Sequence, residues 1–205
     1  MNLGLWWKRN VARVEAATSG YLPQMGWIET RACRLARDRA GRAIPWFTYP
    51  AIALLSERVK PTWRVLEFGA GMGTIWWTTR VAEVVAVEHA PLWAKRVASQ
   101  CGARLLVAGN ETPTTYLAPV SQLRGFDLVV VDGIFRNECI QAALGLLDES
   151  GVVILDDAQR EEYASGIALL ERHGFRVLPL HGPQPVSKHA GCTAIFYRHN
   201  NVMGL

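Results

Sequence analysis

Past residue 60 the chain alternates short, almost wholly apolar runs with longer segments whose apolar positions recur every three or four residues. The runs are RVLEF (64–68), VVAVE (84–88), ARLLV (103–107), FDLVVV (126–131), GVVILD (151–156), FRVLPL (175–180) and CTAIFYR (192–198). Most lack polar alternation, as strands buried on both faces of a parallel sheet do. The segments between them read as helices. LWAKRVASQ (92–100) follows Pro91, whose fixed φ suits a first helical position. NECIQAALGLLDES (137–150) sets Ile140, Leu144 and Leu147 on one face, and EEYASGIALLERHG (161–174) ends at a glycine suited to a C-cap. This alternation predicts an α/β fold with a doubly wound, seven-stranded, mostly parallel sheet.

The last connection breaks the pattern. HGPQPVSKHAG (181–191) is rich in Gly and Pro and has no helical period. Strands joined without a crossover helix pair antiparallel, so the last strand is expected to be reversed. Ahead of the sheet, IETRACRLARDRAGRA (28–43) has a helix-like pattern, and IPWFTYPAIALLSERV (44–59) opens a helix at Pro50. Residues 1–60 are therefore expected to form an N-terminal helical extension or lid on a core domain spanning 61–205.

A chain of 205 residues, 50% hydrophobic, fits one soluble domain with a full core. No apolar run approaches the ~20 residues needed to span a bilayer. The start, MNLGLWWKRN, lacks the long apolar centre of a secretory signal. Cys33, Cys101, Cys139 and Cys192 are scattered and form no metal or disulfide spacing, as in a reduced cytoplasmic protein. Cytoplasmic location and no membrane partner are expected. The net charge of +4 is uneven: residues 1–44 hold eight basic against three acidic residues, the remainder 14 against 15. That basic segment suits a solvated helix face, an anionic substrate, a nucleic acid or a membrane surface. No nucleic-acid-binding module is recognisable, so such a partner is not expected. Trp6, Trp7 and Trp27 suit a subunit contact in a homodimer, or a substrate lid.

The candidate chemistry begins at Glu67-Phe68-Gly69-Ala70-Gly71-Met72-Gly73-Thr74, a loop leaving a parallel strand for a helix. Open α/β sheets bind ligands there. The spacing differs from the dinucleotide fingerprint, with Thr74 where its third glycine would stand. An acid in front of the loop would repel a pyrophosphate and suits an ammonium group. Glu88 ends the second strand, 21 residues on, where a carboxylate can take both ribose hydroxyls. A ligand with a ribose, a cationic amino-acid end and no phosphate is S-adenosylmethionine.

On these residues the chain resembles the class I, Rossmann-like, S-adenosylmethionine-dependent methyltransferases over residues 60–200. LEFGAGMGT is similar to that family's first motif and VVAVEHAPLW to its second. FDLVVVDG resembles the strand-four motif, and LLDESGVVILDD the segment that follows. The resemblance implies a cofactor site of Glu67, Gly69, Ala70, Gly71, Gly73, Thr74, Glu88, His89, Asn110 and Asp132. It also implies that residues ahead of the first strand close over cofactor or substrate. Trp46 and Phe47 would then stack on the acceptor or shield the sulfonium, with Thr48 or Tyr49 bonding the cofactor carboxylate.

The acceptor is expected to be a small molecule methylated on oxygen. Asp132, Asp157 and His181 are the candidates to orient or deprotonate it. Arg136, Arg160 and His189 would hold it. Asp132, Asp156 and Asp157 also resemble the metal ligands of the catechol-type O-methyltransferases, so Mg²⁺ is a candidate cofactor. In that subgroup an Asn stands at Asp157 and a base lysine at Phe135. Alternatives are a metal-dependent catechol-like enzyme, an N-methyltransferase, and a non-catalytic protein that binds the cofactor.

Overall fold

The computed structural model describes residues 3–205. Four helices precede the sheet: α1 (Leu3–Thr18), α2 (Tyr21–Gln24), α3 (Trp27–Cys33) and α4 (Tyr49–Arg58). There follow β1 (Arg64–Phe68), α5 (Met72–Thr78), β2 (Glu83–Glu88), α6 (Pro91–Ala98), β3 (Arg104–Val107) and α7 (Pro113–Leu117). The chain closes with β4 (Phe126–Val131), α8 (Arg136–Leu146), β5 (Leu147–Leu155), α9 (Ala164–Arg172), β6 (Arg176–Pro183) and β7 (Ala190–Tyr197). The seven strands form one sheet in the order β3-β2-β1-β4-β5-β7-β6. β1 to β5 pair in parallel, and β7 runs antiparallel to both β5 and β6. The expected reversed strand is present. It lies between β5 and β6 because the short 184–189 connection allows only a hairpin with β6.

Alternate strand residues feed two apolar layers. Leu66, Phe68, Val129, Val131 and Val153 face α8 and α9 through Ile140, Ala143 and Leu170. Val65, Leu128, Val130 and Ile154 face the other way, onto Ile52 and Leu55 of α4 and Trp76 and Trp77 of α5. Ala36, Ile44 and Phe47 join that second layer, so residues 36–55 are built into the packing of the sheet. The helices after β1 and β4 leave to opposite faces. A crevice therefore opens between the carboxyl ends of these neighbouring strands, where the strand order reverses.

Two helices end earlier than their patterns predict. The helix expected over 28–43 stops at Cys33, and Arg34 takes a left-handed conformation with φ 55°. Beyond it the Thr30 hydroxyl holds both the N–H and the carbonyl of Arg37, and Asp38 accepts from the N–H groups of Ala40 and Arg42. Such side-chain to backbone bonds compete with helix. The helix expected over 137–150 stops at Leu146, since Leu147 already pairs with Phe126 on β4.

Candidate functional site

The crevice is a cavity of about 770 Å³ that runs from the glycine loop to the 184–190 connection. The three glycines of the loop serve different ends. Gly69 has φ +92°, and a Cβ there would lie 2.9 Å from Gly133, so the loops after β1 and β4 meet glycine to glycine. A Cβ on Gly73 would lie 2.6 Å from Glu67 Oε1. At Gly71 a Cβ would meet nothing within 4 Å, yet the residue borders the cavity. Two glycines are required by protein atoms, and the third keeps an open flank beside the crevice.

Glu67 stands at the floor of the cavity, buried. Its Oε2 accepts a 2.5 Å hydrogen bond from the Thr74 hydroxyl, which itself accepts from the Gly71 N–H. Burial pushes the Glu67 carboxyl up to about 8; Asp132 and Glu88 add to the rise and the Thr74 bond opposes it. The charged groups that act on it most, Asp132 and Glu88, are both acids.

Glu88 closes β2. Its Oε2 accepts from the Ala70 N–H at 3.1 Å and its Oε1 from the Ala90 N–H at 2.8 Å. His89 Nδ1 lies 3.1 Å from the same Oε1. These donors fix the carboxylate with lone pairs left over for a ligand. Trp93 donates its indole N–H to the Ala70 carbonyl at 2.7 Å and lines the cavity beside them.

At the other end the acids after β4 and β5 surround a guanidinium. Arg136 donates to the carbonyls of Gly133, Asp156 and Asp132 at 3.0, 2.6 and 3.2 Å. It also pairs with Asp132 Oδ1 at 2.9 Å and stands 3.9 Å from Asp157 Oδ2. Asp157, in a left-handed conformation, is bound by Arg160. Asp156 is buried and accepts a 2.6 Å bond from the Thr193 hydroxyl, which receives the Thr48 N–H. Burial pushes Asp132 up to about 6 against the pull of Arg136, and Asp156 well above the usual carboxylate range.

No protein-family model and no curated protein matches this sequence. Solved structures do. A methyltransferase from Pyrococcus furiosus superposes with a TM-score of 0.55 at 16% identity, over 87% of this chain and 99% of that one. The precorrin-6y C5,15-methyltransferase of Geobacter metallireducens GS-15 gives 0.54 at 19% identity, over 73% and 87%. A SAM-dependent O-methyltransferase from Thermotoga maritima gives 0.55 at 14% identity, over 76% and 67%. The fold is that of the class I S-adenosylmethionine-dependent methyltransferases.

Within this methyltransferase fold the crevice brings together most of the residues singled out from sequence. Glu67, Gly69, Ala70, Gly71, Gly73, Glu88, His89 and Asp132 line its end at the glycine loop. Trp46, Phe47, Arg136, Asp156, Asp157, Arg160 and His189 line the rest.

Others lie elsewhere. Thr74 is fully buried and acts through Glu67. Tyr49 sits in the core edge-on to Tyr21, 6.1 Å between ring centroids, and Thr48 donates to the Leu180 carbonyl. Asn110 is exposed outside the cavity, since β3 is a short edge strand and the chain turns away after Ala108. His181 is exposed outside it too, because β6 extends through Pro183 and pairs His181 with Cys192. Trp27 donates its indole N–H to the Ser187 carbonyl within the chain.

The metal expectation also changes. Among the described residues no three His, Cys, Asp or Glu side chains are disposed around a common ion. The three acids expected to share Mg²⁺ are served by Arg136, Arg160 and Thr193, and an ion among them would face the Arg136 cation. This donor set does not fit a divalent metal. Phe135 packs against Tyr116 at 5.9 Å between ring centroids, in the place of the subgroup's lysine.

Sequence reasoning passed over Trp93, although it stands in the quoted second motif, and Gln184 and Arg34, which carry no local signal. The glycine geometry makes a separable expectation. Gly71→Ala should leave stability within about 0.5 kcal/mol of the parent and weaken nucleoside binding at least about tenfold. Gly69→Ala should cost upwards of about 2 kcal/mol, from positive φ and the Gly133 clash. Thermal melts and ligand titration of the two variants check it; a Gly71→Ala protein with undiminished affinity would place the ligand elsewhere.

Proposed function

We propose that this chain is an S-adenosylmethionine-dependent methyltransferase that methylates an oxygen of a small-molecule acceptor. The observation that carries the reading is Glu67, a buried carboxyl group that forms no ion pair among the described residues, in the loop that holds the open flank of Gly71. That pair suits the ammonium end of an amino-acid nucleoside. Glu88, held by two backbone N–H groups, suits the ribose hydroxyls. Bound there, the donor supplies an electrophilic methyl group on its sulfonium. The fold likeness to known methyltransferases supports the same reading.

Methyl transfer to a hydroxyl oxygen releases one proton, and Asp132 would take it. Its Oδ1 is engaged by Arg136, and the residue lines the cavity. With a carboxyl near 6, Asp132 is ionised at neutral pH and is still basic enough to help. The sign follows: with the donor saturating, the rate should rise with pH through about 6 and level off above it, as the base form fills. Trp46, Arg34, Arg160 and His189 at the mouth would orient the acceptor.

Calorimetry with S-adenosylmethionine and S-adenosylhomocysteine tests the cofactor. Glu88→Ala should lower affinity on the order of a hundredfold, since two hydrogen bonds to a charged group go. No binding of either compound, or an unchanged affinity in Glu88→Ala, would overturn the assignment. An acceptor screen with methyl-labelled donor then identifies the methylated atom.

A further inference from the structure

We infer that α1 is an interfacial helix that docks this protein on an anionic membrane surface. No helix among the described residues is long and apolar enough to cross a bilayer, so the contact is peripheral. Residues 6–18 of α1 are exposed on every side except at Asn10, and the helix has one substantial neighbour, the short α2. Trp7, Val11 and Val14 fall at helical spacing along one stripe, with Trp6 beside it. Trp7 is 65% exposed, Val14 60% and Trp6 54%. An isolated helix of 16 residues is marginal in water. A surface that covers this stripe would stabilise it.

The charges choose the occupant. Lys8 and Arg13 lie to either side of the stripe and Arg9 on the face behind it, with Glu15 as the one acid of α1, and Arg31, Arg37 and Arg39 continue the basic excess beyond it. Exposed indoles beside Lys and Arg are the composition of helices that lie in a headgroup layer, with basic stems reaching up to anionic lipid. A second copy fits less well, since two like-charged helices would meet. One face of α1, about 24 Å long and 10 Å wide, also falls well short of the roughly 800 Å² each partner of a stable dimer buries. Nucleic acid fits less well too: the indoles could stack on bases, but Val11 and Val14 on the same stripe call for an apolar layer to cover them. The contact is independent of the methyl-transfer reading.

The test is flotation of the purified full chain with phosphatidylcholine vesicles, with and without phosphatidylglycerol. The chain should float with the anionic vesicles alone, release at high salt, and show a blue shift of tryptophan emission. Trp7→Ser with Val14→Ser should abolish flotation while S-adenosylhomocysteine binding is retained. Each of Lys8→Gln, Arg9→Gln and Arg13→Gln should lower the partition coefficient about fivefold. Brominated lipid should quench the parent more than a Trp6→Phe, Trp7→Phe protein. The inference is overturned by absence of flotation with anionic vesicles, or by equal flotation of the Trp7→Ser, Val14→Ser protein. A dimer in sedimentation equilibrium that those substitutions dissolve overturns it, as does RNA binding without vesicle binding.

Discussion

Glu67→Gln is expected to make the free protein more stable above neutral pH and to weaken S-adenosylmethionine binding on the order of a hundredfold. Burial is the main cause that lifts the Glu67 carboxyl from 4.5 to about 8, and the Thr74 hydrogen bond opposes it. A carboxyl raised on folding is best tolerated protonated. Its contribution to stability is therefore full below the unfolded value of 4.5 and is lost as pH rises toward about 8. The loss runs at about 1.4 kcal/mol per pH unit inside that window. Glutamine keeps the acceptor for Thr74 and does not titrate, so its stability should stay flat where the parent's falls. Denaturant melts compared at about pH 5 and pH 8 read the difference.

The same buried acid makes ligand binding a proton-linked event. With the carboxylate ionised against an ammonium, binding below pH 8 must expel a proton from Glu67. Affinity should climb about tenfold per pH unit toward 8, then fall as the ligand's own amino group, with a pKa of about 8, loses its charge. Calorimetry in buffers of different ionisation enthalpy should find close to one proton released at neutral pH in the parent and none in Glu67→Gln. Equal affinity and equal proton release in the two proteins would mean that no ammonium sits on Glu67.

The strands were legible because parallel strands buried on both faces need apolar runs without alternation, and LVVV in β4 and VVIL in β5 stand in the sequence as such runs. The glycine-loop end of the crevice was legible for a related reason. Gly69 and Gly73 answer to nearby backbone and to Glu67, so their spacing encodes local geometry. What stayed hidden depends on contacts far apart in the chain. The Gly-Pro composition after Leu180 reads as loop, yet pairing with β7 carries β6 through Pro183 and takes His181 away from the cavity. The Asp pair after β5 reads as two free acids. Only the folded chain shows that one is held by a threonine 37 residues later and the other by Arg160. Arg136 was visible beside Asp132, but its reach across to the Asp156 carbonyl was not.

That reach makes Arg136→Ala the most damaging single change expected outside the core. The side chain is 11% exposed, and one guanidinium serves three carbonyls and a carboxylate at the ends of β4 and β5. Removing it leaves those acceptors unpaired and strips Asp132 of its compensating charge, at a cost of about 3–5 kcal/mol. Arg136 also holds the Asp132 carboxyl down, so its loss should carry that group above 6 and move the rise of the pH–rate profile to higher pH. Arg136→Lys separates the two roles. A lysine restores a positive charge near Asp132 but lacks the planar fork needed to reach three carbonyls at once. It should return the pH profile part of the way toward the parent while recovering little stability in urea. Were lysine to restore stability and leave the profile displaced, Arg136 would be bracing the strand ends through packing, and its charge would not set the proton affinity of Asp132.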